Sequence, residues 1–266
     1  MNKIRMYCLA LSESNYEKIL KKNYVPVGLG NEHFSDKWLT DKNKDSISNK
    51  NKFYGEYTFH YNLWKNEIIK NEQSSWIGFC TYRRFWSQTS KLKKNFSLEK
   101  DVLKIIPKEW EGYDSVLADP IYINKTKFSK IIKHGKRVFL NNPLLFFNKK
   151  NITIKVHFDM YHGYGNLDKA IDLLDNQDRE KFRSYVNTEI MFNPYNMFIC
   201  RNKKILFEYY SNIFPWLEKC ESIFGFDLEN SYGKKRIYGF LAERFLSYWF
   251  NTYTKSIYWP IYFKNI

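Results

Sequence analysis

Short apolar segments alternate with amphipathic segments along this chain, and that alternation limits its possible folds more than any other feature. Apolar runs of strand length occur at 4–11, 24–28, 75–79, 113–117 and within 189–200. Segments with helical spacing occur at 16–22, 53–70, 166–174, 178–186, 205–224 and 239–250. Strands that alternate with helices predict an α/β protein with a mostly parallel central sheet flanked by helices.

The chain of 266 residues is long enough to bury the core of one large domain. No internal repeat or low-complexity linker divides it, so we expect a single domain over 1–266. That domain would end in a helix and an aromatic tail from about residue 239. Aromatic residues make up 19% of the chain, which excludes a disordered protein. Two further expectations are a mobile polar loop or flap over 33–52 and a charged helix over 91–111, interrupted at Pro107.

The net charge of +15 has three candidate causes. Nucleic acid would attract a basic face, and so would an anionic membrane or a phosphate-bearing substrate. Codon bias toward Lys and Asn is the third cause. The Lys residues are scattered, and no zinc-finger spacing, stacking platform or heptad zipper is present. We therefore expect no nucleic-acid partner.

The four cysteines, Cys8, Cys80, Cys200 and Cys220, have no metal-type spacing. The first three lie in apolar runs and are predicted to be small core residues. The N-terminal apolar run is too short for a signal peptide, and no stretch reaches the ~20 apolar residues that span a bilayer. These features favour a cytoplasmic protein with reduced thiols, with peripheral contact at the inner membrane left open.

Polar side chains follow two of the predicted strands. Tyr82, Arg83 and Arg84 come after the strand at 75–79, and Asp119 comes after the strand at 113–117. In open α/β sheets, ligands bind beyond the carboxyl ends of the strands. These residues are therefore the first candidates for a binding site.

Four blocks of sequence, in this order, resemble a known family. They lie at 51–66 (NKFYGEYTFHYNLWKN), 77–85 (IGFCTYRRF), 196–199 (NMFI, with the helix that follows it to Glu221) and 236–244 (RIYGFLAER). The family is that of the capsular and O-antigen polysaccharide glycosyltransferases formerly catalogued as a domain of unknown function. The resemblance runs from the first strand to about Phe250. Thr81 stands where the family often has His, and Gly55 stands where Cys is common.

The resemblance implies a GT-A-like fold and an inverting transfer from a UDP-sugar donor. Some members of the family look like β-1,3-galactofuranosyltransferases, so the implied donor is UDP-galactofuranose. The implied acceptor is a lipid-linked or oligosaccharide galactoside in O-antigen or capsule synthesis.

Donor binding is assigned to cationic and aromatic side chains. A guanidinium group can donate two parallel hydrogen bonds to phosphate oxygens, and it stays charged. Arg83 and Arg84 are therefore predicted to contact the diphosphate. The alternative is that one of them pairs with a carboxylate such as Glu56. Tyr82 either stacks on uracil or sugar or is a core aromatic. Lys65 and Arg244 are further phosphate candidates, although a solvated surface is the commoner fate of Lys.

A metal site is not evident in the sequence. Metal-using GT-A enzymes hold Mg²⁺ or Mn²⁺ with an Asp-x-Asp pair, whereas the strand at 113–117 is followed by Asp119 alone. Asp114 starts that strand and would lie roughly 17 Å away if it is extended. We therefore expect metal-independent transfer with no cofactor, and a divalent cation stays the open alternative.

Glu243 is the predicted general base. It is expected in the first turn of the last helix, after Gly239, where the helix dipole favours an ionised carboxylate. The alternative is a structural ion pair with Arg244. Asp119 is the rival base, or a contact to the sugar of the donor.

Acceptor binding is assigned to Asn196, His162 and Glu56. Asn196 is expected to end a strand, and a backbone-ordering role is its alternative. His162 is five residues after His157, which is not the spacing of a helical metal pair. Together with Asp159 it is predicted to shape the acceptor pocket, and a loop histidine without a chemical role is the alternative.

Two other functions compete with the enzyme. A non-catalytic membrane- or glycan-associating subunit of a polysaccharide assembly complex is suggested by the aromatic tail at 248–263. A nucleic-acid-binding protein is suggested by charge alone.

Overall fold

A computed structural model describes residues 4–66, 76–125, 136–141, 143, 152–227 and 231–266. The strands are β1 (Ile4–Ala10), β2 (Val25–Gly28), β3 (Leu39–Thr40), β4 (Trp76–Thr81), β5 (Arg84–Trp86), β6 (Ser115–Ala118), β7 (Ile121–Tyr122), β8 (Met191–Phe192), β9 (Phe198–Cys200), β10 (Ser256–Trp259) and β11 (Ile261–Phe263). The α-helices are α1 (Tyr16–Leu20), α2 (Asn51–Tyr54), α3 (Tyr57–Lys65), α4 (Lys136–Asn141), α5 (Ile154–His162), α6 (Asn166–Ile171), α7 (Asn176–Thr188), α8 (Lys203–Phe224), α9 (Tyr232–Lys235) and α10 (Ile237–Tyr253).

The central sheet has the strand order β10-β6-β9-β4-β1-β2-β3. Among the described residues, four of the six neighbouring pairs along this order are parallel, and β9 is antiparallel to both β4 and β6. The predicted α/β class with a mostly parallel sheet is confirmed.

Close packing at the centre of this sheet depends on one glycine. Every residue of β4 is buried, and Gly78 lies between side chains of β1 and β9. A Cβ at Gly78 would lie 2.8 Å from Met6 Cε and 2.9 Å from Ile199 Cγ1. A larger residue would force the strand away from its neighbours, since interiors are close-packed.

The C-terminal segment is part of the sheet. β10 pairs in parallel with β6, and β11 pairs with β5. The ring of Trp259 is buried and its Nε1 donates to the Ser87 carbonyl at 2.8 Å. The aromatic residues of the predicted tail therefore pack within the sheet in part, while Tyr258 and Phe263 stay exposed.

The chain divides into two compact units. The first unit comprises Met1–Asp119, Tyr195–Asn212 and Trp249–Ile266, and it holds the central sheet. The second comprises Pro120–Pro194 and Ile213–Tyr248, and it holds the β7-β8 pair. Helices α8 and α10 each contribute residues to both units, so no linker in the sequence marks the division.

Two predictions about local structure are wrong. The segment 91–111 contains one 3₁₀ turn, Lys108–Trp110, and no α-helix. Its Asp101 carboxylate accepts hydrogen bonds from the Ser97 backbone N–H and Lys93 Nζ, and such side-chain bonds compete with helix formation. The segment 33–52 is also more than a loop, because it supplies β3 and the first residues of α2. The end of the helix predicted at 53–70 lies outside the described residues.

All four cysteines are buried thiols, as predicted for Cys8, Cys80 and Cys200. Within the described ranges, no helix is both long enough and apolar enough to cross a bilayer.

Candidate active site

The topology of the first unit gathers several predicted site residues at one edge of the sheet. β1, β2, β4 and β6 run in the same direction, so their last residues, Ala10, Gly28, Thr81 and Ala118, share what we call the carboxyl edge. β9 runs the opposite way, and its first residue, Phe198, pairs with Leu117 near this edge. Residues that follow β1, β2, β4 and β6 and residues that precede β9 therefore meet at the carboxyl edge.

Arg84 is positioned by a tight hairpin at the carboxyl edge. Thr81 pairs with Arg84 across the two-residue turn that joins β4 to β5. The guanidinium carbon of Arg84 lies 4.2 Å from the ring centroid of Tyr195 and 5.5 Å from that of Phe263. Both contacts are of cation–π type and fix the direction of a half-buried Arg.

Arg83 and Tyr82 form the turn itself. The Arg83 carbonyl accepts the Lys264 backbone N–H at 3.0 Å, and its guanidinium carbon lies 5.6 Å from the Tyr82 ring centroid. Tyr82 is half-buried and packs against the main core. The two arginines therefore have different surroundings.

Tyr195 and Asn196 have left-handed backbone conformations, with φ of 76° and 53°. Such angles are uncommon for a residue like Tyr and cost conformational energy, so the surrounding packing must hold them. Asn196 was expected to end a strand. It instead precedes β9, at the strand's beginning, which is still at the carboxyl edge because β9 is antiparallel.

Asp119 follows β6 directly and lies at the carboxyl edge. Its backbone N–H donates to the Trp259 carbonyl at 3.1 Å. Its side chain is largely exposed, and partial desolvation by the neighbouring protein raises the pKa of its carboxyl above the ordinary value. Asp114 precedes the same strand at the opposite edge, where its carboxylate accepts the Lys255 backbone N–H at 3.1 Å.

The described residues do not bring together three His, Cys, Asp or Glu side chains that could hold a metal ion. A cation bound by protein ligands alone therefore does not fit the part of the chain that the structure describes.

Asp41 is a buried residue of this edge that the sequence analysis missed. Its carboxylate accepts the Gly30 N–H at 3.2 Å to each oxygen and the Thr58 hydroxyl at 2.5 Å. Gly30 has φ of +72°, and Asn51 Nδ2 donates to the Gly55 carbonyl and to Thr58. Burial raises the pKa of the Asp41 carboxyl.

This network explains part of the first sequence block. Asn51, Gly55 and Thr58 hold a carboxylate that fixes the turn after β2. The signal for Asp41 was weak, because a single Asp in a polar segment has no periodicity. Its partners are 11 and 17 residues away in the sequence.

Glu56 and Lys65 lie at opposite ends of α3. Glu56 occupies the N-cap position of α3, next to Gly55, and its side chain makes no capping hydrogen bond. Lys65 is the last residue of α3, roughly 10 Å further along the helix than Thr58 at a rise of 1.5 Å per residue. It is exposed, and its Nζ lies 4.1 Å from the Trp64 ring centroid.

Glu243 and Arg244 form a buried ion pair in the second unit. Arg244 is 1% exposed and donates through Nη1 to the Glu243 carboxylate. Its guanidinium carbon lies 3.6 Å from the Phe192 ring centroid, and its Nη2 lies 3.4 Å from Nδ1 of His157. The ion pair that was the alternative to a general base is therefore observed. A paired carboxylate still has lone pairs that can accept a proton.

The expected place of Glu243 in the first helical turn is wrong. Helix α10 begins at Ile237, so Glu243 is its seventh residue and lies in the second turn. The field of a helix terminus falls off within its first turn. The guanidinium of Arg244, rather than the helix dipole, is the positive charge beside Glu243.

His157 and His162 lie on helix α5, so the expected loop position is wrong. His162 is buried; a hydrogen bond of 2.9 Å joins its Nδ1 to the Gly233 carbonyl, and its ring stacks on Phe240. Burial and the nearby Arg244 lower the pKa of both histidines. His162 is therefore a neutral core residue of the second unit at neutral pH.

A family model matches residues 8–255 of this chain. That model is DUF4422, described as a domain of unknown function. The chain belongs to the DUF4422 family. The match covers all four sequence blocks, from the one at 51–66 to the one at 236–244.

Among solved structures, the chain is similar to the WbbM bifunctional glycosyltransferase in its apo form. The TM-score is 0.67 at 19% identity, over 100% of this chain and 46% of that protein. This DUF4422 chain thus has a GT-A-like glycosyltransferase fold and spans about half the length of WbbM. The mannosyltransferase Ktr4p from S. cerevisiae is weakly similar, with a TM-score of 0.31 at 12% identity over 83% of this chain and 62% of that one. A search of proteins with curated functions found no match.

Proposed function

We propose that this DUF4422 protein is an inverting glycosyltransferase. It transfers galactofuranose from UDP-galactofuranose in β-1,3 linkage to a galactoside acceptor, lipid-linked or oligosaccharide, of an O-antigen or capsule. The nature of the sugar and the linkage rest on the resemblance of the four sequence blocks. The fold shared with WbbM supports the reaction class.

The observation that carries this proposal is the chemistry at the carboxyl edge. Two arginines and an aspartate of raised pKa, Arg83, Arg84 and Asp119, follow the ends of strands there. In open α/β sheets this is where ligands bind. A nucleotide diphosphate needs cationic donors, and the two arginines supply them.

The departing UDP develops negative charge on its diphosphate as the glycosidic bond breaks. Fixed cationic donors stabilise that charge in the transition state more than in the ground state. Arg84 is held between Tyr195 and Phe263, so it would act without reorganising. Arg83, on the turn, is the second donor to the phosphates.

Inversion requires the acceptor hydroxyl to attack the anomeric carbon from the face opposite UDP and to lose its proton. A carboxylate base accepts that proton. We assign this role to Glu243, with Arg244 orienting its carboxylate, and Asp119 is the rival. The roles of Glu243 and Arg244 rest on the sequence block and on their own surroundings in the second unit.

The non-catalytic alternative gains no support from the fold. It was suggested by the aromatic tail, whose strands β10 and β11 pair with β6 and β5. Trp259 and Tyr262 of these strands are used in packing, whereas Tyr258 and Phe263 stay exposed.

We expect the purified protein to release UDP from UDP-galactofuranose when a galactoside acceptor is present, and to do so equally in EDTA. Metal independence is expected because Asp119 is the one carboxylate that directly follows β6. Coupled detection of UDP, with UDP-galactopyranose and UDP-glucose as control donors, measures both points. Folded protein that releases no UDP from any donor would refute the glycosyltransferase, and loss of activity in EDTA would refute metal independence alone.

We expect Arg83→Ala and Arg84→Ala each to weaken UDP binding about tenfold to hundredfold, since each removes charge-assisted hydrogen bonds to phosphate. Calorimetric titration with UDP measures the effect. Arg201→Ala is the matched control, because Arg201 is exposed and follows β9 at the opposite edge. Unchanged UDP affinity in both variants would remove the arginines from the donor site.

A further inference from the structure

One cavity is lined entirely by residues of the second unit. Its volume is about 490 Å³, within the usual range of small-molecule sites. Its walls include Arg137, Asp159, Tyr164, Asp227 and Lys234, and Met160 and Val138 contribute apolar surface. Of these residues, Asp159 alone was given a role from the sequence, in an acceptor pocket with His162.

Tyr164 is presented to solvent by a specific turn. Its neighbours Gly163 and Gly165 both have positive φ, at 104° and 76°. A Cβ at Gly163 would clash with the Asn166 side chain, so the turn requires glycine there. Asp159 accepts the Gly165 N–H at 3.0 Å and holds the turn against α5.

The ring of Tyr164 is partly open. The side chain is 39% exposed even though Arg137 Cζ lies 5.3 Å and Lys155 Nζ lies 5.8 Å from the ring centroid. Lys155 is committed elsewhere, because it bonds Asp159 at 2.8 Å and Asp168 at 2.9 Å. A partly exposed aromatic ring next to polar groups is a surface on which the C–H face of a sugar ring can stack.

The charges of the cavity walls balance. Arg137 and Lys234 are positive, whereas Asp159 and Asp227 are negative. Such a lining offers both donors and acceptors to hydroxyl groups but has no excess charge to attract an anion. The chemistry therefore matches an uncharged polyhydroxylated ligand better than a phosphate or a uronic acid.

We propose that this cavity binds an uncharged oligosaccharide, the acceptor glycan, with Tyr164 as the stacking face. This inference rests on the proposed glycosyltransferase function for its biological meaning. It places acceptor recognition on residues of the second unit other than His162, whose Nδ1 is already bonded to Gly233.

The test is calorimetric titration of the full chain with galactotetraose, without donor. We expect wild type to bind, Tyr164→Ala to weaken affinity about tenfold or more, and Tyr164→Phe to stay within about twofold, because the ring does the stacking. Tyr253→Ala is the matched control, since Tyr253 is also 39% exposed but lies in the first unit. Tetragalacturonate, which carries a carboxylate on each ring, is expected to bind more weakly.

Three results would overturn the site: no binding of galactotetraose to folded wild type, equal affinity in Tyr164→Ala, or tighter binding of tetragalacturonate. Thermal unfolding of each variant verifies that it is folded. UDP release from the donor is measured separately. If the wild-type protein releases UDP in the presence of an acceptor and Tyr164→Ala keeps full affinity for the glycan, the proposed site is refuted and the proposed function stands. If the glycan binds through Tyr164 but no UDP is released, the proposed function is refuted and the site stands.

Discussion

Replacing Glu243 by Gln is expected to lower kcat by about 10²- to 10⁴-fold, the usual contribution of a general base. The amide keeps the shape of the side chain but cannot take the acceptor's proton. UDP affinity should stay within about threefold, because Glu243 is not assigned to the donor. Initial rates of UDP release and titration with UDP measure the two quantities.

Two controls separate this role from a structural one. Glu218→Gln changes an exposed carboxylate on α8 and should leave kcat unchanged. Because Glu243→Gln leaves the buried Arg244 without its carboxylate, a loss of stability is also expected, and rates must be taken where circular dichroism shows folded protein. Normal turnover in Glu243→Gln together with inactive Asp119→Asn would transfer the role of base to Asp119.

The protein is expected to lose stability steeply as the pH falls from about 6.5 toward 4. Burial lowers the pKa of His60 from 6.5 to about 3, and burial with the charge of Arg244 lowers that of His157 to about 3. Between these values the unfolded chain binds a proton at each histidine and the folded chain does not, so acid favours unfolding. The free energy of unfolding should fall by roughly 1.4 kcal/mol per pH unit for each histidine.

At pH 4.5 the two histidines together would cost about 5 kcal/mol, comparable with the whole stability of many domains. Asp41 acts in the opposite direction, because its raised pKa makes the folded state bind a proton more readily than the unfolded state. The stabilising contribution of protonated Asp41 is present at low pH and is lost as the pH rises through the pKa of Asp41 in the folded protein. Asp41 therefore offsets part of the loss caused by His60 and His157, whereas His162, whose pKa burial also lowers, adds to that loss.

Urea unfolding at pH 4.5, 5.5, 6.5 and 7.5 measures this dependence. His60→Phe should reduce the slope by about one proton, because His60 is buried among Phe79, Phe198 and Tyr210. His33→Phe, at an exposed histidine, is the matched control and should leave the slope unchanged. A stability that does not change from pH 7.5 to 4.5 in wild type would contradict the prediction.

Much of the fold could be predicted because its signals are local. The apolar run at 4–11 became β1, the run at 75–79 became most of β4, and the pattern at 205–224 became α8 with a difference of two residues at its start. Strand length, helical spacing and the Gly or Pro residues that end an element all depend on a few neighbouring residues, so the sequence alone is enough to recognise them. The prediction of a helix at 91–111 was wrong because hydrogen bonds to the Asp101 side chain form there instead of helical backbone bonds.

The sequence by itself determined the α/β class, the family and the identity of the candidate groups: the two arginines after β4, Asp119 after β6 and the Glu243–Arg244 pair. The tertiary structure alone decided their surroundings. Tyr195 meets Arg84 across 111 positions of sequence, and Asp41 meets Gly30 and Thr58 because β2 and α3 bring them together. The cavity beside Tyr164 is formed by residues of α4, α5 and α9, which are separate in sequence. Such contacts depend on how the chain packs over long separations, and no local pattern of residues encodes that packing.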